Sequence, residues 1–258
     1  MPPVHEHIDR QFRDIGARAR LITRQTEAVA LDVRRDRRSE YFNLSVPEAA
    51  SVEVLDVDRS DRHLLLFVAA SGEKSRFLCG HDERHWFVAA IPESASGIVN
   101  VRAAKQALQP VAVRNVAVQL RRNERNRRRN RAFSRQGEWF FVPAFEVNPH
   151  PWLVLHHEPL SRGRGKSHVM EFAYRRGGSA VYVSRQNPNG LTQDEYDILP
   201  EKVRKAQSWR QMVRDAAVFA MGRIRHPDHA TLHLHGWHRV FMNTEPGARA
   251  MRQVAFLD

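Results

Sequence analysis

The sequence predicts an α+β fold: an N-terminal helix and an antiparallel β-meander, partly closed, followed by a mixed α/β C-terminal lobe. Apolar residues recur at spacings of three and four over residues 4–21, which is the period of an amphipathic helix. Six short apolar runs follow between residues 28 and 92, separated by polar breaks, as in antiparallel strands. After Pro92 the helix and strand patterns are interleaved, so the C-terminal part is expected to be mixed.

Local signals place the elements after residue 92. Asn100 is expected to cap a helix that ends before Pro110, and Thr192 with Glu195 forms a capping box that starts another helix. Further helices are predicted at residues 111–120, 167–176 and 200–219. Strands are predicted at residues 138–142, 152–156, 180–184 and 230–243.

These patterns predict a division into three parts. Residues 1–95 would form the helix plus antiparallel β lobe, and residues 137–258 an α+β lobe with a histidine-rich strand. Residues 96–136 would connect them as a linker helix and an arginine-rich segment.

Composition excludes several classes of protein. The chain has 258 residues of which 42% are hydrophobic, enough to bury a core without covalent staples. Its single cysteine, Cys79, excludes an internal disulfide framework and a cysteine-rich zinc site. The longest apolar runs are about seven residues, whereas a membrane-spanning helix needs about 20. The N-terminus lacks the apolar stretch of a secretory signal, so we expect a cytoplasmic protein with no membrane partner.

Positive charge is the strongest functional signal. The formal net charge is +12, which attracts polyanions. Arginine greatly outnumbers lysine, a bias that a GC-rich genome also produces, so local clustering is more informative than overall content. Residues 121–135, called here the arginine segment, carry a local net charge of +7. Its basic residues are Arg121, Arg122, Arg125, Arg127, Arg128, Arg129, Arg131 and Arg135.

The arginine segment has no apolar helical face, so we expect it to stay outside the core and bind a polyanion that neutralises it. Its interleaved asparagines could read base edges. Flanking aromatics, which are Phe133, Trp139, Phe140 and Phe141, could stack on a base. In composition the segment is similar to the short arginine-rich peptides with which some viral proteins bind RNA stem-loops. That resemblance implies a segment that orders on RNA.

A second basic motif, SRGRGKS at residues 161–167, follows a strand-like run. Its ending is similar to a phosphate loop, but that pattern requires a glycine where Leu160 stands, which argues against nucleotide hydrolysis. Arg162, Arg164 and Lys166 are expected instead to contact nucleic-acid phosphates. A plain basic loop is the alternative.

Histidines cluster at residues 226–239, where we predict a turn followed by a strand. His226, Asp228, His229 and His238 are the candidate catalytic residues, because imidazole titrates near neutrality and binds metals. His226 and His229, with His81 and His85 from a smaller cluster, are candidate ligands of a divalent metal cofactor. His233 and His235 are expected to lie on an exposed strand face.

The sequence therefore predicts a nucleic-acid-binding protein that contacts RNA in preference to DNA through the arginine segment. One alternative is a metal-dependent or histidine-dependent nuclease that uses residues 226–238. A second alternative is an adaptor that binds an acidic protein. The oligomeric state is not predicted.

Overall fold

The computed structural model describes residues 4–25, 29–161, 166–245 and 254–256. The chain forms two compact units: residues 1–139 with 242–246, and residues 140–241 with 247–258. The predicted middle part, residues 96–136, lies inside the first unit. The α+β class, with an N-terminal helix and mostly antiparallel sheets, is confirmed.

The first unit combines three helices with two small sheets. Its elements are α1 (Val4–Asp14), β1 (Ala19–Arg24), β2 (Ala30–Arg35), β3 (Glu40–Pro47), β4 (Ser51–Asp58), β5 (His63–Ala70), β6 (Glu73–Asp82), β7 (His85–Ala90), α2 (Val101–Ala107), α3 (Val111–Ala117) and β8 (Ser134–Gln136). The six predicted strands correspond to β2–β7. The first helix ends earlier than predicted, and the residues after it form β1, which pairs with β3 in parallel.

Two sheets and α1 enclose the main core of this unit. One sheet has the order β1-β3-β2, and the other is the antiparallel meander β4-β5-β6-β7. Ile8 and Phe12 of α1, and Ile15 just after it, are buried with Phe42 and Leu64, which confirms the apolar stripe predicted for the start of the chain. A second cluster packs α2 through Val101 and Ala104. Asn100 caps α2, as predicted, by accepting a hydrogen bond from the N–H of Ala103 (2.8 Å).

The second unit is mostly β-structure. Its elements are β9 (Trp139–Pro143), which the chain enters from the first unit, β10 (Leu155–Leu160), β11 (His168–Arg176), β12 (Ser179–Val183), α4 (Gln193–Asp197), α5 (Glu201–Lys205), β13 (Arg210–Arg214), β14 (Ala217–His226), β15 (His229–Met242) and β16 (Val254–Phe256). Its main sheet has the order β10-β11-β14-β15-β9, and β12-β13-β16 form a smaller one.

Two predicted helices of this unit are wrong. Residues 168–176 are the strand β11, and the stretch predicted as helix up to residue 219 forms only α5 before it continues as β13 and β14. The strand predicted at residues 152–156 begins later, as β10, after a 3-10 turn at Pro151–Leu153. The longest predicted strand is confirmed as β15, with 14 residues. The longest described helix, α1, has 11 residues, and no helix in the described part of the chain could cross a membrane.

Candidate functional sites

The arginine segment is a folded connection between α3 and β8, built from consecutive turns. Asn130 organises it: the side-chain oxygen accepts hydrogen bonds from the N–H groups of Ala132 and Phe133, both at 2.9 Å. Its side-chain amide donates to the carbonyls of Glu124 and Arg127 at 3.3 Å. The Asn130 side chain therefore stabilises the backbone of the segment. The sequence had instead suggested that this amide could contact base edges.

The start of the segment is tied to α2 and its flank. Gln109 donates through its side-chain amide to the carbonyl of Arg125 at 2.9 Å. Asn126 donates to the carbonyl of Arg102 at 3.3 Å. Because amides on both sides make these contacts, the fold of the segment does not require a bound polyanion.

Two of the arginines form ion pairs with acidic residues at the β6–β7 turn. Arg128 pairs with Asp82 and, at 2.8 Å, with Glu83. Arg135 lies 3.7 Å from Asp82. Burial, together with the nearby charge of Arg135, lowers the pKa of Arg128 to about 10, so it stays charged at neutral pH. Both side chains are therefore largely covered, 30% and 23% accessible, although neither belongs to the buried core.

Two further arginines donate hydrogen bonds to the carbonyls of the residues that follow α3. Arg125 donates to the carbonyls of Leu120 (3.1 Å) and Val118 (2.8 Å). Arg131 donates to the carbonyl of Gln119 at 3.0 Å. These carbonyls belong to the three residues that follow α3, which ends at Ala117, so the two guanidinium groups hold the chain between α3 and the rest of the segment.

The remaining four arginines of the segment have a different environment. Their side chains are exposed and make no hydrogen bond or ion pair with the described part of the chain. We call them the exposed arginines: Arg121, Arg122, Arg127 and Arg129.

The aromatic residues near the segment are not available for stacking. Phe133, Trp139, Phe140 and Phe141 are all buried, so the expectation that one strand face could stack on a base is wrong. Among the residues whose exposure is described, the exposed aromatics are Phe145 and Trp152 of the second unit, 94% and 86% accessible. In the sequence, Phe145 lies between Pro143 and Pro149, and Trp152 directly follows Pro151.

The glycine–lysine motif is described only at its ends. Arg162 and Arg164 lie outside the described residues. Lys166 is exposed, and its ammonium group is 2.7 and 2.9 Å from the two carboxylate oxygens of Asp228. The lysine of the glycine–lysine motif is thus paired with the carboxylate of the histidine cluster at residues 226–239.

Strand pairing brings three histidines into one row at the end of the second unit's main sheet. His226 pairs directly with His229 across the two-residue turn between β14 and β15. Val169 of β11 pairs with Arg225 of β14, so His168 is the next residue in register, opposite His226. Residues in register on neighbouring strands project to the same face. We call His168, His226 and His229 the histidine row.

The rings of the histidine row form a compact triangle. The centroid of His168 is 4.3 Å from that of His226 and 5.7 Å from that of His229, and His226 and His229 are 4.7 Å apart. One ring nitrogen of each lies within 4.8 Å of those of the other two. Within the described residues, this is the one group of three or more metal-ligating side chains that meets this distance.

The three rings differ in their surroundings. His168 is 1% exposed, and neither of its ring nitrogens has a hydrogen-bond partner among the described residues. Burial, with a smaller contribution from His226 and His229, lowers the pKa of His168 to about 3. His226 accepts a hydrogen bond at Nδ1 from the Asp228 N–H (3.1 Å), so its Nε2–H donates to the Lys166 carbonyl (3.2 Å).

The other candidate histidines do not join this row. His238 lies nine residues beyond His229 on β15, about 30 Å along an extended strand. Its Nδ1 donates to the carbonyl of Gly236 at 2.8 Å. His81 and His85 belong to the first unit, where His81 packs edge-on against Trp86 and His85 contacts Glu40 at 2.6 Å.

Sequence reasoning missed His168. The residue was assigned to a helix, on which it could not align with a β-strand row. No short-range pattern in the sequence marked it, because its alignment with His226 depends on the pairing of β11 with β14. The alternation at His233 and His235 was correctly predicted, since both are exposed between buried leucines.

No protein-family model, curated protein or solved structure matches this chain. The functional conclusions below therefore rest on the chain's own residues.

Proposed function

We propose that the protein binds nucleic acid, RNA in preference to duplex DNA, through the exposed arginines of the arginine segment. The observation that carries the proposal is the contrast within that segment. Four arginines are used to fold it, and the four exposed arginines have no partner in the described chain. Guanidinium groups suit phosphates because they donate two parallel hydrogen bonds.

The folded state of the segment favours binding. Asn130 and the ion pairs of Arg128 fix the backbone from which the exposed arginines project. A ligand therefore does not have to order the backbone, which reduces the entropic penalty of association.

The shape of the segment supports RNA over duplex DNA. The major groove of B-DNA admits a helix or a two-stranded ribbon, whereas this segment consists of turns after α3 has ended at Ala117. RNA with loops and bulges offers irregular surfaces that such a connection can contact.

The test is the salt dependence of RNA affinity in two matched variants. The first replaces Arg121, Arg122, Arg127 and Arg129 by Gln. The control replaces Arg24, Arg35, Arg37 and Arg38 by Gln, which are also exposed and lie in the same unit, so both variants lose four charges. Four phosphate contacts to single-stranded RNA contribute about three units to the slope of log K against log salt, and only the first variant should lose them. Equal losses in both variants would mean that overall charge, and not this segment, governs binding.

A competition series identifies the class of partner. We expect structured RNA to compete best, duplex DNA less well and heparin least. Heparin as effective as RNA would indicate non-specific charge attraction. Failure of all three would leave an acidic protein as the partner of the exposed arginines.

A further inference from the structure

We infer that the histidine row is a binding site for a divalent transition metal of the zinc class. One ring nitrogen each from His168, His226 and His229 would coordinate the ion, and one coordination position would remain open. The site uses different residues from those proposed to contact RNA and does not depend on RNA binding.

The backbone holds the three ligands in place. Each is the terminal residue of a strand: His168 begins β11, His226 ends β14 and His229 begins β15. The turn Pro227–Asp228 fixes the separation of the last two. Sites built on paired strands are more rigid than sites on loops, which lowers the entropy lost when a metal binds.

The donor set selects the class of metal. Three imidazoles suit Zn²⁺, Cu²⁺ and Ni²⁺, whereas Mg²⁺ and Ca²⁺ prefer oxygen ligands. Zinc held by three histidines, with a fourth position open, is an established arrangement. With Zn–N bonds of about 2.0–2.1 Å, tetrahedral ligand nitrogens lie about 3.4 Å apart. The ring nitrogens here lie within 4.8 Å of one another. Ring rotations that move each nitrogen by about 1 Å would therefore bring them to the tetrahedral spacing.

His168 provides independent support. Both of its ring nitrogens are buried without a hydrogen-bond partner in the described part of the chain, although buried polar atoms in proteins almost always have one. A bound metal would use one of these nitrogens as a ligand. Neither nitrogen is engaged in a hydrogen bond with another described group, so either one is available to the metal.

The contacts of His226 also fit a ligand. Metal-binding histidines commonly donate their second ring N–H to a backbone carbonyl, which fixes the ring. The Nε2–H of His226 makes this contact with Lys166. Its Nδ1 would then face the metal in place of the Asp228 N–H. The carboxylate of Asp228, in the turn between two ligands, offsets the ammonium group of Lys166, which would otherwise repel a cation.

The experiment is a zinc titration of metal-free full-length protein, monitored by calorimetry and by competition with a chromophoric chelator. Wild type should bind one equivalent of Zn²⁺ and no Mg²⁺ at the same concentration. Co²⁺ in place of Zn²⁺ should give the visible absorption of a tetrahedral site.

Variants decide which residues form the site. His168→Gln and His226→Gln should each weaken zinc binding by roughly 100-fold or more, since loss of an outer partner alone weakens metal sites about 10–100-fold. The control His233→Gln/His235→Gln removes two exposed histidines of the same strand and should bind as wild type does. His226→Gln, on the less buried ligand, covers the case in which His168→Gln does not fold. No zinc binding by wild type, or equal affinity in the row variants and the control, would overturn the inference.

Discussion

At the residue scale, the buried start of β5 depends on one glycine. His63 pairs in register with Gly80 of β6, and its imidazole lies over that residue. A Cβ at Gly80 would be 2.6 Å from Nε2 of His63, closer than real contacts allow. Because the ring is also packed against Phe87, it has little room to move.

We therefore expect Gly80→Ala to lower the free energy of unfolding by about 1–3 kcal/mol, as overpacking does. Urea denaturation measures this. Gly236→Ala is the control, since a Cβ there meets nothing within 4 Å. Equal stability of the two variants would show that the sheet adjusts freely around His63.

The same histidine should make stability depend on pH. Burial, reinforced by the charge of Lys105, lowers the pKa of His63 to about 4, from an ordinary value of 6.5. Between these values the unfolded chain takes up a proton that the folded chain does not. The contribution of His63 is thus fully present above pH 6.5 and is lost as the pH falls toward 4.

By pH 5 this loss amounts to about 2 kcal/mol of unfolding free energy. Urea unfolding of wild type and His63→Phe at pH 7.5 and 5.0 measures it, and the variant should lose less stability on acidification. His235→Gln, at an exposed position, should follow wild type. Parallel behaviour of wild type and His63→Phe would exclude this origin of acid sensitivity.

At the scale of an element, the arginine segment contains two kinds of arginine that the sequence alone could not separate. Arg128 and Arg129 are neighbours with the same charge. Arg128 pairs with the buried Asp82 and with Glu83, whereas Arg129 is exposed.

Arg128→Gln should lower the free energy of unfolding by about 1–2 kcal/mol, because it removes the closer of two cations from the buried Asp82 and an ion pair from Glu83. Arg129→Gln should change stability by less than about 0.5 kcal/mol and should weaken RNA binding. Denaturation and RNA titration of both variants would check this. The division of roles fails if Arg129→Gln is the destabilising change.

Elements with an uninterrupted local pattern could be predicted from the sequence. The capping box of Thr192 and Glu195 is present as expected, with both reciprocal contacts. β11 was missed because the register shifts between Met170 and Phe172, a β-bulge that breaks the alternation of buried residues. The helix expected to reach residue 219 ends at Lys205, and Asp215, whose φ is 62°, lies where the chain turns from β13 into β14.

The candidate sites show the same limit. The turn between His226 and His229 is local, and the sequence predicted it correctly. His168 lies 58 residues before His226 and joins it only through pairing of β11 with β14. The acidic partners of Arg128 likewise come from a distant turn. Contacts of this kind depend on tertiary pairing and leave no short-range pattern.

At the scale of the whole molecule, RNA binding and RNA cleavage make different demands on the chain. The exposed arginines belong to the first unit and the histidine row to the second. Binding requires contacts between the exposed arginines and phosphates. Cleavage would also require a metal-activated water or a histidine that transfers a proton.

We expect the protein to bind labelled RNA without cleaving it, because a guanidinium group contacts phosphate but does not transfer a proton at neutral pH. Full-length RNA should be recovered after incubation with added Zn²⁺ and equally with chelator, and the chelator should leave RNA affinity unchanged. The informative contrary result is cleavage that requires zinc, disappears in His226→Gln and persists in His233→Gln/His235→Gln. That pattern would make the histidine row the catalytic centre of a metal-dependent nuclease, with the exposed arginines as its substrate contacts.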